Sequence, residues 1–265
     1  MTTHTQGHPD SGPAASRWIR RFHPAPQAPV RLLCLPHAGG SASAYHALSQ
    51  ALAPRVEVLA VQYPGRQDRR REPLLDSIGA LREGLARELA PWRDRPLAVF
   101  GHSMGAVLGY EVARGLCGDS GAPPVHLFVS GRGGPELEVE WALDRLEDRA
   151  MVTALGELGG TDPRLLDDEE VLRLVAPAIR SDYRAVRMYR HVPGPPLSCP
   201  ITALVGDRDA MAPVGSVELW GARTSADFRL EVFPGGHFYL TENLRKVERL
   251  VYDRLTEAHS VRMTG

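Results

Sequence analysis

The sequence is short of lysine, of cysteine, of net charge and of long apolar runs, and each shortage excludes something. Lys246 is the single lysine, so almost every basic residue is arginine, which reads as coding bias rather than function. The formal net charge is −1, so no global field draws the chain to nucleic acid or to an anionic membrane. Cys34, Cys117 and Cys199 lie far apart with no Cys-x-x-Cys spacing, which argues against a disulfide framework and against a zinc site. Cys34 and Cys117 fall in apolar runs and read as small buried thiols, with a reducing compartment following. No stretch approaches the ~20 apolar residues that span a bilayer. Residues 1–16 are rich in Thr, His, Gly, Pro and Ser without an apolar h-region, so they read as a disordered tail and not a secretory signal. A cytoplasmic protein is expected.

What is present fits one large domain over residues 17–260. The 265 residues are 43% hydrophobic, enough for a sizeable core. Val30–Leu35, Val56–Gln62, Leu97–Phe100, Val125–Ser130, Ile201–Val205 and Arg229–Phe233 read as strands. Several are apolar at nearly every position, as strands covered on both faces are. Tyr45–Leu52, Ser77–Leu89 and Met104–Cys117 carry apolar residues at helical spacing. Strand–helix alternation of this kind predicts an α/β fold with a mostly parallel sheet and helices on both faces.

One interval, about 134–192, is helical only. It carries acidic clusters at Glu136–Glu140 and Asp167–Glu170, and apolar surface from Leu155, Leu158, Leu165, Leu166, Val171, Leu172, Leu174 and Val175. It is expected to form a helical cap, or lid, over the C-terminal edge of the sheet. The plainer alternative is that these helices pack on a sheet face.

The segment Arg95–Cys117 reads strand, sharp turn, helix, and Gly101-His102-Ser103-Met104-Gly105 occupies the turn. Gly-x-Ser-x-Gly is a weak string in a chain with 26 glycines. Its placement makes it specific, because that is where an α/β-hydrolase holds its nucleophile. The turn strains Ser103, and the flanking glycines let strand and helix approach closely.

A serine hydroxyl at neutral pH needs a base, and the base needs an acid to orient it. In this fold the chain order is Ser, then Asp or Glu, then His. The strand Ile201–Val205 runs into Gly206-Asp207-Arg208-Asp209, and the next strand runs into Pro234-Gly235-Gly236-His237. Both lie just past strand C-terminal ends, where α/β sites form. Asp209 is preferred to Asp207, which is closer to the strand and suited to a local turn bond. His237 is preferred to His191, and His102 is assigned to packing or supporting hydrogen bonds. Pro36-His37-Ala38-Gly39-Gly40, after the first long strand, is placed to supply an oxyanion donor. The predicted donors are the main-chain N–H groups of Ala38 and Met104. The arginine-rich Arg66–Arg71 would suit a phosphate, though such runs are more often solvated loops. No metal or organic cofactor is required.

Taken together, these pieces resemble the stand-alone type II thioesterases associated with polyketide and nonribosomal peptide synthases, over about Trp18–Leu255. The resemblance rests on RLLCLPHAGGSAS (31–43), YPGRQDRRREP (63–73), FGHSMGA (100–106), LGGTDPRL (158–165), PGPPLSCPIT (193–202) and FPGGHF (233–238). It implies hydrolysis of aberrant or stalled acyl groups from the phosphopantetheine arm of an acyl or peptidyl carrier protein. It also implies the triad Ser103, Asp209 and His237, with donors Ala38 and Met104. The chain departs from the family's usual wording at Gly133-Gly134-Pro135, followed by the acidic ELEVE stretch, and at Ala210-Met211 after Asp209. A small-molecule esterase or lipase of the same fold, and a non-catalytic carrier-binding partner, are the competing readings.

Overall fold

Short apolar runs become strands because each has both faces to bury. The structure, a computed structural model, describes residues 16–118, 123–138, 142–158 and 168–264. Its strands are β1 (Ile19–Arg20), β2 (Val30–Leu35), β3 (Val56–Val61), β4 (Leu97–His102), β5 (Leu127–Ser130), β6 (Ile201–Gly206) and β7 (Phe228–Phe233). Every residue of β2 through β6 is buried. β7 is largely uncovered, as suits an edge strand. The order is β1-β3-β2-β4-β5-β6-β7, parallel throughout except for the antiparallel β1.

Helices cover both faces. On one lie α2 (Ile78–Leu89) and α3 (Met104–Gly118), whose Leu81, Leu85, Val107 and Leu108 share a core with Leu33, Leu59 and Val99. On the other lie α1 (His46–Leu52) and the C-terminal helix, α7 below, packed through Leu48, Leu52, Val247 and Val251 onto Leu32, Val58 and Phe100. Alternate residues of one strand feed opposite cores, as the pleat requires. Ser77 starts α2 by accepting the Ala80 N–H, an N-cap bond.

The interval before β6 holds α4 (Asp148–Glu157) and α5 (Glu169–Met188), followed after β6 by the short α6 (Val214–Val217) and then α7 (Leu244–Thr264). Asp168 accepts the N–H groups of Glu170 and Val171, so part of the second acidic cluster is the start of α5, where negative charge suits the helix dipole. Met151, Val152, Leu155, Leu172, Ala176 and Ile179 join the α2–α3 core. Leu174 instead points outward and is 63% exposed. Leu165, Leu166 and Asp167 lie outside the described residues, as do residues 1–15 of the expected tail and Glu140. Ser16 is fixed, its hydroxyl donating to Glu88 at 2.6 Å.

Two expectations need correction. Cys117 is exposed while Cys34 and Cys199 are buried. Leu116 takes the inward position on α3, and one further residue turns Cys117 about 100° away. The arginine run is not simply a solvated loop. Arg70 and Arg71 face solvent, but Arg66 and Arg69 are buried. Arg69 pairs with Glu72 at 2.6 Å, donates to the Gln62 carbonyl at 2.7 Å and lies over the Trp18 ring.

Candidate active site

Sheet order locates the site. β3 lies on one side of β2 and β4 on the other, so the winding direction reverses between β2 and β4 and opens a crevice at their C-terminal ends. Leu35 pairs with Gly101 across that ladder. The loop leaving β2 at Pro36 is therefore carried beside the turn leaving β4 at Ser103.

Ser103 is held at φ +55°, a left-handed conformation that few non-glycine residues adopt. Its N–H donates to the Ser130 carbonyl at 2.8 Å and its own carbonyl accepts from Ala106 N–H at 3.0 Å, joining strand to helix without a break. The two motif glycines are steric necessities. A Cβ on Gly101 would sit 1.9 Å from the Gly105 carbonyl oxygen, and one on Gly105 would sit 2.0 Å from the Leu35 carbonyl oxygen.

His237 follows β7. Its Nδ1 meets Asp209 Oδ2 at 2.8 Å, with both side chains buried. The other oxygen, Asp209 Oδ1, accepts Met211 N–H at 2.9 Å and Ala212 N–H at 3.2 Å. Those bonds hold the carboxylate in one orientation. Asp207 has a different partner, accepting Gly235 N–H at 2.8 Å, and so ties the β6 turn to the loop that carries His237. Asn243 closes the same loop by donating to the Pro234 carbonyl at 2.9 Å. His191 is elsewhere, against the Tyr110 hydroxyl at 3.3 Å.

Ser103 and His237 line one cavity of about 220 Å³, together with Arg132, Leu137, Met211 and Pro213. No hydrogen bond joins the Ser103 hydroxyl to His237 among the described residues, a looseness common in sites without substrate. Among the same residues, the main-chain N–H groups of Ala38 and Met104 donate to no protein acceptor. Burial pushes the Arg132 guanidinium down to about 10, so it is cationic at neutral pH.

Two further imidazoles surround the site. His102 packs at 5.0 Å, centroid to centroid, from His237, and its Nδ1 meets Ser130 Oγ at 2.9 Å, which in turn meets the Tyr239 hydroxyl at 2.7 Å. Burial and the neighbouring His237 and His37 hold His102 well below the usual histidine range. Burial, with His237 and Arg66, brings His37 down to about 4. Both rings are neutral at pH 7, and among these three imidazoles, within the described residues, His237 is the one hydrogen-bonded to a carboxylate. Neither Ser130 nor Asn243 carries a motif that would have singled it out from sequence.

Comparison with known proteins agrees with this geometry. The thioesterase domain family model matches residues 30–255. Thioesterase PikA5 of Streptomyces venezuelae is 49% identical over 239 residues, spanning 90% of this chain and 85% of that protein. Gramicidin S biosynthesis protein GrsT of Aneurinibacillus migulanus is 35% identical, spanning 86% and 90%. Among solved structures, the type II thioesterase BorB from the borrelidin biosynthetic cluster is 45% identical with a TM-score of 0.83, spanning 90% of this chain and 97% of that one. The chain therefore belongs to the thioesterase family and is a hydrolase of thioesters built on the α/β-hydrolase fold.

Proposed function

We propose that the chain is a stand-alone editing thioesterase, working in the cytoplasm, that hydrolyses acyl groups from the phosphopantetheine arm of acyl or peptidyl carrier proteins. The observation that carries the reading is the Asp209–His237 contact at 2.8 Å, opening on the same cavity as Ser103 at the end of β4. Similarity to PikA5 and BorB along nearly their whole lengths supports the carrier-bound substrate.

In this reading His237 Nε2 takes the proton of Ser103 as Oγ attacks the thioester carbonyl carbon. The N–H groups of Ala38 and Met104 hold the tetrahedral oxyanion, and Met104 adds the N-terminal end of α3. The intermediate collapses by breaking the C–S bond, and the pantetheine sulfur leaves with the proton from His237. Water then gives a proton to His237 and attacks the acyl-serine carbonyl. Collapse frees the carboxylic acid and returns the proton to Ser103. Asp209 fixes the imidazole tautomer and stabilises its positive charge.

The segment that departs from the family wording lies in the cavity wall, where Gly133, Leu137 and Glu138 face Ser103. Glu136 and Glu138 pair with Arg223 and Arg190 at 3.2 Å each, the first tying Glu136 to the segment before β7 and the second, at the surface, reaching the end of the helical interval. Acyl-chain preference is read as set here and in the cap.

The test is a matched series in which one acyl group is carried by a carrier protein, by N-acetylcysteamine and as an ethyl ester. Contacts to the arm and carrier that are used to orient the carbonyl raise turnover as well as affinity. The expected order of kcat/KM is carrier, then N-acetylcysteamine, then ester. Equal or faster hydrolysis of the ethyl ester would identify a small-molecule esterase instead.

A further inference from the structure

Two peptide planes flank the Cα of Ala38, and a separate hydrogen bond holds each. The plane bearing the Ala38 N–H is fixed through its other end, where the His37 carbonyl accepts Gly40 N–H at 2.9 Å. The next plane bears the Gly39 N–H, which donates to Asp182 Oδ2 at 2.8 Å. Asp182 belongs to α5, 143 residues along the chain, and its side chain is fully buried. The same carboxylate takes Arg66 through both oxygens, at 2.6 Å and 3.0 Å. Arg66 Nη1 also donates to the Gly40 carbonyl at 3.2 Å. One buried acid thus holds the plane after Ala38 directly and a later plane through a guanidinium.

Packing reinforces the contact. Gly39 is at φ +76°, and a Cβ there would sit 2.6 Å from Ile179 Cγ1, one turn before Asp182 on α5. The loop backbone therefore lies directly on the helix. A buried ion pair is by itself weak evidence of stabilisation, since desolvation offsets much of the attraction. This one has a third donor, and that donor is main chain from the loop facing Ser103.

Resting on the reading in which Ala38 N–H receives the oxyanion, we infer that Asp182 is a positioning residue for the thioesterase reaction. From the cap helix it sets the orientation in which the Ala38 N–H meets the developing charge. α5 is consequently a fixed wall of the catalytic frame, because lifting it would free the peptide plane that follows the donor.

The test uses two ligands built on one acyl-pantetheine frame. A trifluoromethyl ketone adds the Ser103 oxygen to its carbonyl carbon, passes the serine proton to His237 and turns its carbonyl oxygen into an oxyanion. The matching thioether has no carbonyl and reports binding alone. Misplacement of a catalytic group by about 1 Å costs roughly 100-fold in rate. Asp182→Ala is therefore expected to lose about 100-fold in kcat, with KM for an acyl carrier within about threefold. Affinity for the ketone should fall by a similar factor while thioether affinity stays unchanged. Asp182→Asn keeps one acceptor for the Gly39 N–H and should fall between Asp182→Ala and wild type. If a lone buried arginine prevents folding, Arg66→Leu with Asp182→Leu removes both charges, and the same ketone-selective loss is expected. Unchanged kcat, or equal losses for ketone and thioether, would overturn the inference. Ser103→Ala run alongside separates the cases: retained turnover there would instead overturn the serine mechanism itself.

Discussion

Asp209 and His237 meet through a single buried contact, Oδ2 to Nδ1 at 2.8 Å, while Asp207, two residues earlier, accepts Gly235 N–H from the loop that carries the histidine and lies beside Arg208. Asp209→Asn keeps the side-chain size but presents the wrong hydrogen-bonding group to the imidazole. It should lower kcat by roughly three to four orders of magnitude. Asp207→Asn still offers an oxygen to Gly235 N–H and should stay within about tenfold of wild type. Steady-state kinetics on one thioester substrate compare the two, and a larger loss for Asp207→Asn would reverse the assignment.

Thiol labelling should separate the cysteines. Cys117 is exposed and should react with iodoacetamide in the folded protein, whereas Cys34, whose thiol burial pushes well above its ordinary value, should not. Reactivity needs an accessible thiolate. Peptide mass mapping should find the label at Cys117 with activity retained, since none of the three cysteines lines the cavity beside Ser103. Loss of activity on labelling at unchanged circular dichroism would contradict this.

Glu57, near the start of β3, is buried among Arg21, Arg31 and Arg95. Burial alone would raise its pKa, but the hydrogen bond from Arg31 and the charges of Arg21 and Arg95 outweigh it and hold the carboxyl below its ordinary value. Glu57→Gln leaves three cations around an uncharged amide. Removing one partner of a buried pair costs about 3 kcal/mol or more. Urea unfolding should show that loss, and a change below 1 kcal/mol would show that solvent relieves the cluster.

Stability should also fall in mild acid. Burial lowers His126 to about 4, and His37 likewise, from an ordinary value of 6.5. Between those values the unfolded chain binds protons that the folded one does not, so stability rises with pH. The contribution is full above about pH 6.5 and is lost as pH drops toward 4. His126 bonds Thr202 at 2.8 Å, and His126→Gln keeps a polar partner there without a titrating ring. Its Tm should decline less steeply than wild type from pH 6.5 to 4; parallel curves would remove His126 from the account.

The strands were legible because a covered strand is apolar along its whole length, and Val30–Leu35 is observed unchanged. Other strands differ at their ends: β5 begins at Leu127, and β4 and β6 continue into His102 and Gly206. β1, at two residues, is too short for any period, whereas α7 carries Leu244, Val247, Val251 and Leu255 at helical spacing, a core face present in the sequence though absent from the expected elements. Ser103, Asp209 and His237 could be read because strand-end placement and chain order reflect the parallel sheet itself. Asp182 and Arg66 could not. An aspartate flanked by serine and tyrosine on an amphipathic helix reads as a solvated position, although its spacing from Ile179 and Val186 puts it on the buried face, and an arginine in an arginine-rich run reads the same way. Their burial arises only when α5 is laid against the loop leaving β2. Cys117 fails for the opposite reason, since composition places it in an apolar run while helical phase turns it outward.

The account stands most directly on an acyl group passing through Ser103. Rapid-quench mixing with an acyl-loaded carrier protein, followed by intact mass and peptide mapping, measures it. The predicted result is a transient adduct of the acyl mass on the peptide containing Ser103, appearing with free carrier thiol and decaying as the acid is released. Ser103→Ala should give neither adduct nor turnover beyond a residue several orders of magnitude below wild type. An adduct on another residue, or wild-type turnover by Ser103→Ala, would contradict the account.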